Sequence, residues 1–138
     1  MRVVLDTNVL VSALLVNLSA PAQLLTAWRR GAFELLTCDL QLQEIRAVTR
    51  RDSLRALIRP ALAGELVNQL RGMAVWLETL PRVDRSPDPF DNFLLAMAEG
   101  GQADVLVSGD KRGVLALKSH GPCRIVTVRQ FVLELGPT

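Results

Sequence analysis

At 138 residues and 15.2 kDa the chain has the length of one compact domain, and 49% hydrophobic with 22% charged residues excludes a disordered chain. Aromatics make up only 4% and Tyr is absent, so the core falls to Leu, Val, Ala and Ile, and a base-stacking platform for single strands is disfavoured. Sixteen basic residues against fourteen acidic ones leave a net charge of +2, too small for a general nucleic-acid coat.

All the basic residues except Lys111 and Lys118 are Arg, the side chain suited to forked contacts with phosphate. Cys38 and Cys123 lie far apart and His120 is the single His, which excludes a disulfide framework and a four-ligand structural zinc site. A reducing cytoplasm is the expected location. No basic-then-apolar leader precedes the first strand-like run at Arg2, and no apolar run reaches the roughly 20 residues that a bilayer requires.

Val3-Val4-Leu5 reads as a buried strand that ends in Asp6-Thr7-Asn8, residue types that cap helices. A helix is predicted over Val9 to Val16, and Ser19-Ala20-Pro21 opens a second one to Arg30, closed by Gly31. Phe33 to Thr37 is the second strand. Asp39 is the expected cap of a helix from Leu40 to Arg50, followed by helices over Asp52 to Leu57 and Pro60 to Leu70, with Gly72 as the stop.

Val75 to Leu80 fits either a short strand or a helix tail. Pro81 to Pro89 is a loop, and a helix from Phe90 to Glu99 ends at Gly100-Gly101. Asp104 to Ser108 carries the continuous apolar centre of a buried parallel strand, turned into a further helix by Gly109-Asp110. Gly121-Pro122 precedes the last strand, Arg124 to Val128, and Phe131 to Leu135 is a closing helix. Strands alternating with helices give the α/β class with a parallel sheet, whose site lies at the carboxyl ends of the strands.

That rule singles out Asp6 and Asp110, each directly after an apolar strand, with Asp91 at a helix start and Glu44 inside a helix. Taken one at a time, three of these acids also fit as helix caps or N-terminal charges, and Glu44 as one acid on a solvated face.

Taken in order, Val3-Val4-Leu5-Asp6-Thr7-Asn8-Val9, the helical Glu44, Asp88-Pro89-Phe90-Asp91-Asn92-Phe93-Leu94-Leu95-Ala96 and Ala103-Asp104-Val105-Leu106-Val107-Ser108-Gly109-Asp110 resemble the PIN-domain family of metal-dependent ribonucleases. The resemblance runs from Val3 to about Val132 and is nearest to stand-alone prokaryotic PIN proteins described as toxins of toxin–antitoxin pairs.

It implies a three-layer α/β/α domain over residues 1–138 with a central parallel sheet of about four or five strands. It also implies an endoribonuclease leaving a 5′-phosphate and a 3′-hydroxyl. Its metal-binding and catalytic acids fall on Asp6, Glu44, Asp91 and Asp110, with Asn8 and Ser108 at supporting positions and Asp88 at most in support. One or two Mg²⁺ or Mn²⁺ ions are implied, because clustered carboxylates repel one another and a hard cation with oxygen ligands removes that cost.

Close relatives carry another acid where this chain has Arg112, so the fourth position rests on Asp110 alone. The implied partners are RNA, a small antitoxin protein and a second copy of the chain in a homodimer, with no membrane. The dimer is also expected from the apolar helices at Val9 to Val16 and Ala22 to Trp28. Arg51, Arg55 and Arg59, four apart, would share one face of a continuous helix and grip RNA phosphates, or form a solvated face. The alternative is a PIN-like module that has lost catalysis and acts by binding RNA or protein.

Overall fold

The computed structural model describes residues 1–136; the last two positions of the expected 1–138 domain lie outside the described residues. The chain begins with strand β1 (Arg2–Leu5), helices α1 (Thr7–Ser12) and α2 (Ala20–Arg29), then strand β2 (Glu34–Cys38). Helices α3 (Asp39–Thr49), α4 (Asp52–Arg55) and α5 (Pro60–Met73) lead to β3 (Val75–Leu77). After a long loop come a 3-10 turn at Pro89–Asp91, α6 (Asn92–Gly100), β4 (Val105–Val107), a second 3-10 turn at Val114–Leu117, β5 (Ser119–His120), β6 (Cys123–Val126) and α7 (Val128–Leu135).

The strands form one sheet in the order β3-β2-β1-β4-β6-β5, with every neighbouring pair parallel except antiparallel β5 and β6. Six described strands replace the expected four or five. The fifth is β3, the strand alternative for Val75 to Leu80, which pairs with β2 from Leu36↔Val75 to Cys38↔Leu77, and the one addition is the two-residue β5. Strand β5 is too short to leave a periodic signal, and it places His120 on the sheet edge.

Side chains alternate across the sheet and build two cores. Val3, Leu5, Leu35, Val105 and Val107 face the layer of α1, α2, α3, α5 and α7, while Val4, Leu36, Leu106 and Ile125 face α6 and the second 3-10 turn. This is the expected α/β/α arrangement.

The α2 helix starts where Ser19 accepts a hydrogen bond from the Ala22 N–H at 3.3 Å, and the chain turns away after it at Gly31, whose φ of +83° only glycine adopts without strain. Several expected boundaries shift. Helix α1 stops at Ser12 instead of Val16, since Leu14 and Leu15 donate three residues back, to the Val11 and Ser12 carbonyls, in place of the four-residue α-helical step. Cys38, not Asp39, is the flanking residue of α3, and α5 runs through Gly72 to Met73, a glycine in a helix interior costing only about 1 kcal/mol. No α-helix follows Asp110 directly; the chain makes the short 3-10 turn, ending at Lys118 in the left-handed region.

The expected arginine ridge is broken. Helix α3 ends at Thr49, Arg51 flanks the start of α4 and Arg59 flanks the start of α5, so Arg51, Arg55 and Arg59 do not lie on one continuous helical face. Pro60 forces that last break, because its ring fits only the first turn of a helix.

The apolar helices read as a dimer face are also corrected. Val9, Leu10, Val11, Leu24, Leu25, Ala27 and Trp28 are buried in the chain's own core, leaving Val16 and Leu18 exposed in the connection after α1. Among the described residues, no helix is long and apolar enough to cross a membrane.

Candidate active site

Parallel strands β1 and β4 lie side by side, with Leu5 opposite Val107, so the residues that follow them emerge at the same end of the sheet. Asp6 follows β1 and is buried, its backbone N–H donating to the Val107 carbonyl at 2.9 Å. Its carboxylate accepts from the Ser108 hydroxyl at 2.8 Å and from the Asn8 N–H at 3.3 Å. Burial pushes the Asp6 carboxyl above the ordinary carboxylate range, and these two hydrogen bonds oppose the rise. Ser108 is fully buried and also accepts from the Asp110 N–H at 3.2 Å, so one hydroxyl ties the ends of both strands together.

Asp110 lies in the loop after β4, where its carboxylate accepts from the Arg112 N–H at 3.0 Å. Arg112 therefore supports Asp110 through its backbone. Gly113 leaves the room this requires: a Cβ there would sit 2.7 Å from Asp110 Oδ2 and 3.3 Å from Asp91 Oδ2.

Asp91 closes the 3-10 turn before α6, and its side chain makes no capping hydrogen bond. Its carboxyl is raised to about 6, first by burial and then by the charges of Asp6, Asp88, Glu44 and Asp110. All four expected acids thus share one electrostatic neighbourhood. Asp88 adds its charge there while capping the 3-10 turn, accepting from the Phe90 N–H at 3.0 Å. Asn8 contributes its main-chain N–H, its side chain being exposed. Asp104 accepts from the Arg2 N–H at the opposite end of the sheet.

A family model described as PIN domain matches residues 2–112. The chain belongs to the PIN-domain family. No curated protein matches it. PIN domains are typically metal-dependent nucleases, and the hard, anionic oxygen donors of this site suit Mg²⁺ or Mn²⁺ in kind. Among the described residues no three acidic, His or Cys side chains are drawn close enough to enclose an ion.

Three groups escaped the sequence reading. Gly113 carries no sequence signal, since its importance is a clearance. The Thr7 hydroxyl is buried beside Asp6 without a hydrogen-bond partner. Gln41 is fully buried in the first turn of α3, its one sequence signal being a polar residue in line with apolar Ile45 and Val48.

The basic groups gather elsewhere. A cavity of about 710 Å³ between α3, α4 and α5 is bordered by Arg46, Arg50 and Arg55 over Ile45, Ile58 and Val67. Arg46 follows Glu44 by two residues, about 200° around the helix, so this cavity opens away from the acids.

Proposed function

We propose that this PIN-domain protein is a metal-dependent endoribonuclease and the toxin of a toxin–antitoxin pair. The observation that carries the reading is the electrostatic convergence of Asp6, Glu44, Asp91 and Asp110, three strand-end or turn acids and one helical acid, at the carboxyl edge of the parallel sheet. Those four side chains are the ones that would hold Mg²⁺ or Mn²⁺, one ion or two. When bound, such a cation supplies a water of lowered pKa and neutralises charge on the phosphodiester.

The protein groups have separable tasks. Asp6 is held in place by Ser108 and the Asn8 N–H, giving the site one fixed carboxylate. Asp110 is oriented by the Arg112 N–H and kept clear by Gly113. Arg51, Arg55 and Arg59 are exposed on the α3–α5 connection and are proposed to meet phosphates singly, since they share no face. The RNA products are a 5′-phosphate and a 3′-hydroxyl. A small antitoxin protein and a second copy of the chain complete the proposed partners, the cytoplasm being the proposed setting.

The test is cleavage of an RNA oligonucleotide by purified protein in Mn²⁺, compared with EDTA and with Asp6→Asn, which removes charge and keeps shape. Cleavage should need the ion and vanish in the variant. Equal cleavage by both proteins, or unchanged cleavage in EDTA, overturns the assignment. The second reading, a catalytically weak PIN module that binds RNA or protein, is favoured by the open spacing of the carboxylates and by Arg112. RNA retention without Mn²⁺-dependent cleavage would select it.

A further inference from the structure

Gln41 is fully buried, and both functional atoms of its amide are used. Its Nε2 donates to the Leu5 carbonyl at 2.7 Å, and its Oε1 accepts from the Thr37 hydroxyl at 2.9 Å. Thr37 is also fully buried. A buried amide costs a few kcal/mol unless hydrogen-bonded, and a Met or Leu would fill the same volume without that requirement. The core alone therefore gives no reason for a glutamine here.

The place of these contacts supplies one. The register between β1 and β2 pairs Arg2 with Glu34 and Val3 with Leu35 and does not extend to Leu5. Where the two strands part, the Gln41 amide replaces the missing ladder hydrogen bond and binds the carbonyl directly before Asp6. Gln41 also sits three residues before Glu44, one turn of the same helix. One side chain thus links the backbone that carries Asp6 to the helix that carries Glu44, two acids 38 positions apart in sequence.

We propose that Gln41 is a positioning residue of the acidic site, setting the spacing of Asp6 and Glu44 through the Leu5 carbonyl and so tuning affinity for a divalent cation. The inference rests on the metal-dependent reading above. Groups that orient metal ligands from behind typically contribute 10- to 100-fold in metal affinity.

The experiment measures Mn²⁺ binding by calorimetry and the Mn²⁺ dependence of RNA cleavage for wild type, Gln41→Met and Thr37→Val. Gln41→Met should bind Mn²⁺ about 10- to 100-fold more weakly and cleave with lower kcat at unchanged KM for RNA. Thr37→Val keeps the Gln41 bond to Leu5 and should bind Mn²⁺ within about threefold of wild type. Gln41→Leu, read at 10 °C, serves as the second variant if Gln41→Met melts near the assay temperature.

A lower melting temperature with Mn²⁺ affinity and kcat unchanged overturns the inference and leaves a purely structural glutamine. Wild-type protein that neither binds Mn²⁺ nor cleaves RNA overturns the metal-dependent reading itself, and the inference with it.

Discussion

Asp91→Asn should make the metal-free protein more stable while removing its response to metal. In the unfolded chain this carboxyl titrates near 3.8, and in the folded protein it is held up at about 6 by burial and by Asp6, Asp88, Glu44 and Asp110. Between those values the folded state binds more protons than the unfolded state, so this group makes stability fall as pH rises through the window and leaves it lower above. Below about 3.8 the carboxyl is neutral in both states and the penalty is absent.

A rise of this size would be worth roughly 3 kcal/mol in a fully shielded site. Asp91 is only half-buried, and solvent screening brings the expectation to about 1 kcal/mol. For a chain of this length that is about 3 °C in melting temperature. Asparagine keeps the shape and loses no capping hydrogen bond, because Asp91 makes none.

Melting followed by circular dichroism in EDTA from pH 4 to pH 8 should show the variant about 3 °C above wild type at pH 7.5, the two converging toward pH 4. In millimolar Mn²⁺ the order should reverse, since a ligand bound only by the native state raises its stability. A variant that melts below wild type at pH 7.5 in EDTA, or a gap that does not narrow in acid, would refute the claim that the acids strain this site.

Gly113→Ala places a Cβ 2.7 Å from Asp110 Oδ2 and should abolish Mn²⁺-dependent cleavage while far-ultraviolet circular dichroism stays unchanged; full cleavage would show that Asp110 does not need this clearance. Replacing Arg51, Arg55 and Arg59 with Gln should lower the slope of log K against log salt for a single-stranded RNA by about 0.7 for each phosphate no longer neutralised, measured under Ca²⁺. Superimposable slopes would remove these arginines from the RNA path. The proposed homodimer should give twice the 15.2 kDa chain mass by light scattering at micromolar protein, and Leu18→Ser should shift it toward the monomer; a monomeric wild type would end that proposal.

The sheet was legible because its strands leave local marks, whereas Glu44 and Asp91 were singled out only by the order of motifs that resembles the PIN-domain family. Val3-Val4-Leu5 and Val105-Leu106-Val107 are continuous apolar runs that stop at polar residues, so the strands and the end where Asp6 and Ser108 emerge follow from the order of residues alone. What was not legible depends on contacts between distant segments. Strand β5 exists because His120 pairs with Cys123 across a two-residue turn, and because its ring bridges Arg85 and Glu99 at 2.9 and 3.0 Å. Periodicity cannot register a strand of two residues. The arginine ridge failed for a similar reason: four-residue spacing describes a face only where the helix is unbroken, and Arg51 and Arg59 both stand at helix starts. The apolar helix α2 carried too little polar surface to be told from a docking face by sequence, and Phe131 and Phe33, packed edge to face at 5.5 Å, are among the groups that cover its layer.

The four acids are not held alike, and this difference orders the site. Asp6 is anchored at three points, by its own N–H to Val107, by the Ser108 hydroxyl and by the Asn8 N–H. Gln41 secures the carbonyl before it. Asp91 and Asp110 come from a 3-10 turn and a loop, where changes in φ and ψ disturb little core packing. Four carboxylates clamped at coordinating distance would repel one another at full strength in the metal-free protein, a cost that grows as spacing shrinks and burial deepens. One rigid carboxylate with looser partners limits that cost to the raised Asp6 and Asp91 carboxyls and leaves the other acids room to adjust toward a cation that they would hold. Stability measured without metal and activity measured with it should then respond in opposite directions to neutralising Asp91.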